Sequence, residues 1–272
     1  PLARLPRLIR KGHLKALAVT ASSYSSGEHV TFFESAEPVK PWVRSQRKAA
    51  RDRITHEHLL ASSAIPFIFP AKGIEVDDHI EYFGDGSMRQ SAPIAPAIHL
   101  GAERILVIGA GRMHEPKNDA AANPTPNYPS LAQIAGHALS NIFLDALSVD
   151  VERVQRINQT LSLIPEEKRT HSALRPIELL VIAPSQRLDA VAARHVGDLP
   201  TPVRTMLGAL GVTSNMADVR GAALASYLLF EAGYTQELMA LGRADTLAMR
   251  AQVCQFFGWT DTGAEVRTQL HQ

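Results

Sequence analysis

The chain predicts an α/β protein, a three-layer α/β/α sandwich. Three observations predict it. Short apolar runs of strand character recur at 14–21, 29–34, 80–83, 104–109 and 177–182. Stretches with apolar residues three or four apart lie among and beyond them. Gly or Pro punctuates the junctions. A length of 272 residues, 45% of them hydrophobic, is enough for a substantial core. The net charge of +1 gives no global electrostatic case for nucleic acid. One cysteine, Cys254, excludes an internal disulfide and fits a reducing compartment. No apolar run approaches the ~20 residues of a spanning helix. There is no internal repeat or low-complexity segment.

Each element has a local reason. Leu2, Leu5, Leu8 and Ile9 sit at helical spacing, and Gly12 ends that helix. Leu14–Ala21 and His29–Glu34 read as strands joined by a turn at Ser25–Ser26–Gly27. Residues 38–53 hold Lys40, Arg44, Arg47, Lys48, Arg51 and Arg53 around Trp42 and Val43. They read as a solvated, mobile surface segment. The functional alternative is a basic, aromatic-bearing lip for anionic lipid head groups. Thr55 is an N-cap with Glu57 in the first turn, and Pro66 stops that helix near Ile65. His56 and His58 share no helix face and read as a surface pair, not metal ligands.

Ile80–Phe83 is a strand, and Pro93 starts a helix that Gly101 closes. Arg104–Gly109 reads as a buried parallel strand. The G-A-G-R that ends it, Gly109–Arg112, lacks a third glycine, and prolines follow, so a dinucleotide site is disfavoured and no cofactor is expected. His114–Asn127 reads as an exposed, mobile loop. A long helix is expected from about Ser130 to Leu161, with Leu139, Phe143, Leu147, Val151 and Val154 inward and Asp145, Asp150 and Glu152 on its solvated face. Ile177–Ile182 is the last strand. Helices follow at Pro202–Leu210, Met216–Phe230 and Thr235–Gln255, with Leu228, Leu229 and Phe230 as packing or lipid-contacting residues.

The stretch with the most chemistry runs from His58 to Gly109. It places one carboxylate, Asp85, between Gly84 and Gly86, just past a strand, with Ser87 next in line. Glycines on both sides leave the carboxylate open to close approach. A D-G pair is also a common turn signal, which is the bland reading.

Three segments of this stretch resemble the C-terminal half of the patatin-like phospholipase family. They are A-S-S-A-I-P at Ala61–Pro66, G-D-G at Gly84–Gly86, and S-A-P-I-A-P-A-I-H-L-G-A from Ser91 to Ala102. The resemblance covers the first half of the chain well and the rest loosely. It implies the patatin-like (FabD/lysophospholipase-like) form of the sandwich. It also implies acyl-ester hydrolysis by a Ser–Asp dyad, with Asp85 catalytic and Gly84, Gly86 and Ser87 shaping the loop. Here the motif is D-G-S, where the family has D-G-G or D-G-A. No G-x-S-x-G occurs in these residues. The nearest match, S-Y-S-S-G at Ser23–Gly27, falls in a strand-to-strand turn, so Ser25 is not taken as the nucleophile.

The expectation is therefore a C-terminal part of a longer protein, incomplete on its N-terminal side, with the nucleophile and oxyanion loop upstream of Pro1. Residues 1–183 would belong to the hydrolase domain, and 184–272 would form a helical region packed on it. Alone, the chain would be inactive. Expected partners are a lipid or acyl-ester substrate and a membrane surface met peripherally, with no nucleic acid and no metal. The expected location is cytoplasmic, or peripheral at a membrane. The competing expectation is a non-catalytic lipid-binding or interaction module of the same fold.

Overall fold

In the first part of the chain the strand reading holds, and the sheet it builds is wider than the sequence suggests. The structure, a computed structural model, describes residues 2–66, 68–90, 92–113, 131–169, 174–209 and 219–260. The loop expected at His114–Asn127, the start of the helix expected from Met216, and the tail beyond 260 lie outside them. The chain divides into two compact units, residues 1–103 with 149–154, and 104–148 with 155–272.

In the first unit a short helix α1, Leu5–Arg10, turns Leu5 and Ile9 into the core. Strands β1 (Ala16–Ser23) and β2 (His29–Ser35) form an antiparallel hairpin in register from Ala16↔Ser35 to Ser22↔His29. Val30, Thr31, Phe32 and Phe33 are all buried, so both faces of β2 are covered.

The segment expected to be solvated and mobile is exposed over most of its length, as expected, yet regular in structure. It forms β3 (Val43–Arg44) and β4 (Arg47–Arg51), and β4 joins β2 in parallel. Its tight turn uses Gln46 at φ 57. Ala49 is buried, and Trp42 stacks on Phe33 at 5.4 Å, which anchors the segment despite its charge.

Helix α2, His56–Ser62, begins at Thr55 as expected, but its capping partner is His58, whose Nδ1 accepts from the Thr55 N–H at 3.2 Å. His58 is therefore buried, with its ring edge-on to Phe32 at 4.5 Å, and is no surface histidine. Burial lowers its pKa, and neighbouring Asp52 opposes that shift.

Strand β5, Lys72–Val76, went unread in the sequence. It pairs with β6, His79–Asp85, through a two-residue turn in which Asp77 and Asp78 both take positive φ. The sheet order is β3-β4-β2-β1-β6-β5, antiparallel except for β2–β4. Phe32, Phe83, Val30, Ile54, Ile74 and Ala61 pack as its core under α2. Helix α3, Ala95–His99, follows a turn at Pro93, and Gly101 closes it at φ 94.

The second unit holds β7 (Arg104–Ile108) and β8 (Glu178–Ile182), paired in parallel as expected, but β7 is not the buried strand expected, since Leu106 and Ile108 are exposed. Helix α4 runs from Leu131 to Ser162; its stretch 149–154 belongs to the first unit and bears the expected stripe at Val151 and Val154, both buried. The side chains of Leu139 and Phe143 lie outside the described residues. Asn158 clasps the backbone of Ile177 from both sides, donating to its carbonyl at 2.7 Å and accepting its N–H at 3.0 Å. Short α5 (Glu166–Arg169) precedes β8.

Beyond β8 come α6 (Leu188–His195), α7 (Thr201–Ala209), α8 (Val219–Ser226), α9 (Ala232–Ala248) and α10 (Arg250–Phe257). The single helix expected at Thr235–Gln255 is thus two, broken at Met249. His195 bridges α6 to α9, with Nδ1 on Asp198 and Nε2 on Glu237, each at 2.8 Å. Leu229 is buried and Phe230 exposed. No helix of the described residues is long and apolar enough to cross a membrane.

Asp150 corrects the sequence reading most sharply. It is not on a solvated face but 3% exposed, and it accepts the Ile94 N–H at 2.9 Å. It thereby satisfies a donor in the turn that leads into α3, and Arg153 pairs with its other oxygen. Removing it strands a buried N–H. Asp150→Ala is expected to lower unfolding free energy by about 1–3 kcal/mol, measured as a fall in the urea midpoint, whereas Glu152→Ala on the same helix leaves it unchanged.

Candidate functional site

Asp85 is the last residue of β6, and its position is fixed by backbone. It stands opposite Ala21 in the short β1–β6 pairing, and its N–H donates to the Ala64 carbonyl at 2.9 Å, beyond the end of α2. Because β6 runs antiparallel to both neighbours, the rule that sites lie at the carboxyl ends of parallel strands does not place it.

The side chain is 8% exposed. One oxygen accepts the Ser87 N–H at 2.8 Å and so caps the 3-10 turn Gly86–Arg89. No cation pairs with it among the described residues. Burial pushes its pKa above the usual carboxylate range, and the backbone and hydroxyl of Ser87 pull it partly back.

The two glycines have a more specific reason than openness. A Cβ on Gly84 would lie 2.4 Å from the Tyr24 hydroxyl oxygen, and one on Gly86 would lie 2.4 Å from the Thr20 carbonyl oxygen. At Gly86 the loop is pressed against the β1 backbone and only hydrogen fits, whereas at Gly84 the near atoms are the outer end of the exposed Tyr24 side chain. Tyr24 lies over Gly84 with its hydroxyl 3.6 Å from the Met88 sulfur. Partial burial, then the charge of Asp85, raise the Tyr24 pKa.

Sequence reasoning missed three residues here: Tyr24, Ser22 and His29. The Ser22 hydroxyl donates to the Gly86 carbonyl at 3.5 Å. His29 is 1% exposed, and neither ring nitrogen has a hydrogen-bond partner at good geometry. Burial, then the charge of Arg47, lower its pKa to about 4, against a smaller opposing influence of the Gly86 carbonyl. The available signal was a lone histidine opening an apolar strand.

Ser25 and its neighbours hold a turn. Ser23 donates to Glu81 at 2.6 Å and accepts the N–H groups of Ser25 and Ser26, while Ser25 accepts the Tyr82 N–H at 3.2 Å. Among the described residues no three His, Cys, Asp or Glu side chains gather as metal ligands. A hollow of about 270 Å³ on α9, lined by Val191, Glu237 and Leu241 among others, belongs to the second unit and involves none of these groups.

Chemically, the arrangement is an uncompensated carboxylate able to take and return a proton, in a loop too tight to accept larger residues. No family model matches the chain, and comparison with curated proteins and with solved structures also returns no match.

Two expected outcomes follow from the geometry. Gly86→Ala forces Cβ onto a main-chain oxygen and is expected to cost about 1–3 kcal/mol of stability, read by denaturant unfolding. His29 is neutral in the native state near pH 6.5, where the unfolded chain begins to protonate. The unfolded state binds the extra proton, so stability falls as pH drops from about 6.5 to about 4, by roughly 3 kcal/mol in all. In His29→Gln that part of the pH dependence disappears.

Proposed function

We propose that this chain is the Asp-bearing part of a patatin-like lipid acyl hydrolase, with Asp85 as the base of a Ser–Asp dyad. The observation that carries the reading is a carboxylate that is buried, lacks a counter-ion and has a raised pKa, in the same G-D-G loop that suggested it. A seryl hydroxyl, supplied by a G-x-S-x-G upstream, completes the dyad. As its oxygen attacks the ester carbonyl carbon, its proton passes to Asp85. The tetrahedral intermediate collapses, the ester C–O bond breaks, and the leaving alkoxide takes that proton. Water then attacks the acyl-enzyme, gives its proton to Asp85, and frees the fatty acid as the serine recovers its proton. The oxyanion is met by backbone N–H donors of an upstream glycine-rich loop.

The three-layer, patatin-like form of the fold belongs to this reading. In its support, β1 pairs with β2 over its whole length, but with β6 only at Ala21–Ser23. On that side Ala16–Val19 have no strand partner among the described residues, and the reading puts the nucleophile strand there. A lipid or acyl-ester substrate, peripheral membrane contact and a cytoplasmic location are part of the same proposal. One observation favours the alternative, a non-catalytic lipid-binding or interaction module: the chain contains no G-x-S-x-G.

The experiment uses the intact protein with a short-chain nitrophenyl ester and a serine-reactive phosphonate. Asp85→Asn is expected to lower turnover by about 10²–10⁴-fold. Turnover unchanged in that variant removes Asp85 from the mechanism. A wild type that neither hydrolyses the ester nor takes the label establishes the module.

The same variant makes a stability prediction. The native carboxyl has the higher pKa, so ionising it destabilises the fold as pH rises through that value. Asp85→Asn keeps the acceptor for Ser87 and carries no charge. It is expected to raise the urea midpoint near neutrality, with the gain vanishing in acid below the ordinary carboxylate range.

A further inference from the structure

The β3–β4 hairpin carries a charge arrangement that the fold does not require. Arg44 and Arg47 stand directly opposite each other across its turn. Like charges so placed destabilise a hairpin, and this one has only two cross-strand pairs to hold it. Arg47 in turn stands opposite His29 on β2. Neither arginine meets a carboxylate among the described residues, and the Arg44 guanidinium donates only to the Val43 carbonyl, at 3.1 Å. Lys40, Arg51 and Arg53 flank them; Arg51 donates to the Ser35 carbonyl. Lys48, on the alternate side of the ribbon, is neutralised by Asp77 at 2.7 Å.

His99 of α3 completes the group. Its ring stacks on Trp42 at 4.6 Å, and Trp42 stacks on Phe33, so the imidazole is held in place. Burial, then the charges of Arg44 and Arg47, keep its pKa below the ordinary imidazole range. Two guanidiniums that meet no carboxylate among the described residues thus share one region with an imidazole held by stacking. An oxyanion with several acceptor oxygens would accept the arginine forks, remove the repulsion between them and favour the protonated imidazole.

We propose that Arg44, Arg47 and His99 form a binding site for a phosphate group, either free or as the head group of a phospholipid. The site stands whether or not Asp85 is catalytic.

The test follows the His99 ring by NMR while inorganic phosphate is added. In parallel, the protein is sedimented with phosphatidylcholine vesicles, with and without phosphatidic acid. Phosphate, or vesicles bearing phosphatidic acid, are expected to raise the His99 pKa or to carry the protein down. Arg44→Gln weakens that binding about tenfold. A response to both probes identifies the phosphate group itself as the determinant. A response to the vesicles alone identifies the lipid head group, and one to inorganic phosphate alone a soluble ligand. Arg44 is exposed on an edge strand, so its loss leaves the sheet standing. Arg44→Lys, which keeps the charge and loses the fork, is expected to bind at an intermediate level and serves if Arg44→Gln does not fold. No response of the protein to either probe, or full-strength binding by the arginine variants, overturns the site.

Discussion

The short contact between β1 and β6 is the constraint on which the first unit depends. It spans three residues a side, Ala21–Ser23 against Phe83–Asp85. Next to it, backbone approaches backbone so closely that Gly86 faces the Thr20 carbonyl, while the Tyr24 side chain lies over Gly84. That closeness brings Phe83 against Phe32 at 5.4 Å and sets the Asp85 N–H on the end of the α2 segment. Phe32 in turn meets His58, which caps α2. The carboxylate is therefore positioned by main-chain pairing and a packed aromatic chain, both stiffer than side-chain hydrogen bonds. A site held in this way keeps its geometry when surface residues change.

The second unit solves a different problem. Two parallel strands need a crossover, and the chain from 109 to 177, with α4 in it, supplies one. A two-stranded parallel pair is weak by itself. Asn158 fixes the backbone just before β8, the exposed Arg104–Glu178 pair crosses the strands, and Phe256 of α10 sits under the Arg104 guanidinium at 4.9 Å. Further along, Asp198 and Glu237 hold His195 above its ordinary pKa, so protonation of the ring strengthens the α6–α9 tie. Polar side chains do here what a wider sheet would otherwise do.

What the sequence disclosed, and what it hid, follow one physical line. Strand alternation, the turn before Gly27, the Thr55 cap and the G-D-G loop were legible because each is a local preference of backbone or side chain. The residues misread were polar ones whose place is decided by distant partners. Asp150 looks solvated on a helical wheel, yet it answers an N–H fifty-six residues earlier. His58 looks like half of a surface pair until Thr55 and Phe32 enclose it. Residues 43–51 look like a charged loop because periodicity weighs the lysines and arginines, while Ala49 and Trp42 do the anchoring. Strand β5 was hidden because its register depends on two aspartates with positive φ, a turn usually written with Asn-Gly.

The contrast that separates structure from chemistry lies on one strand. Glu81 and Asp85 both belong to β6, both are buried, and they stand about 13 Å apart at strand spacing. Burial alone would raise both. For Glu81, hydrogen bonds from Ser23 and Ser26 reverse it, and His79 and Lys48 add to them, so its pKa falls below the usual range. For Asp85, only Ser87 opposes burial, and the net direction is upward. Phe83, fully buried between them, keeps the two environments separate. Glu81 is a carboxylate whose acceptor capacity is spent on the β1–β2 turn, and it has nothing left to offer a substrate. Asp85 is answered by Ser87 alone, at the start of one short turn. A buried charge answered only by Ser87 costs the fold stability, and the same sheet shows at Glu81 how readily it neutralises one. That asymmetry sets the two carboxylates of one strand apart electrostatically, and the proposed role of Asp85 rests on it.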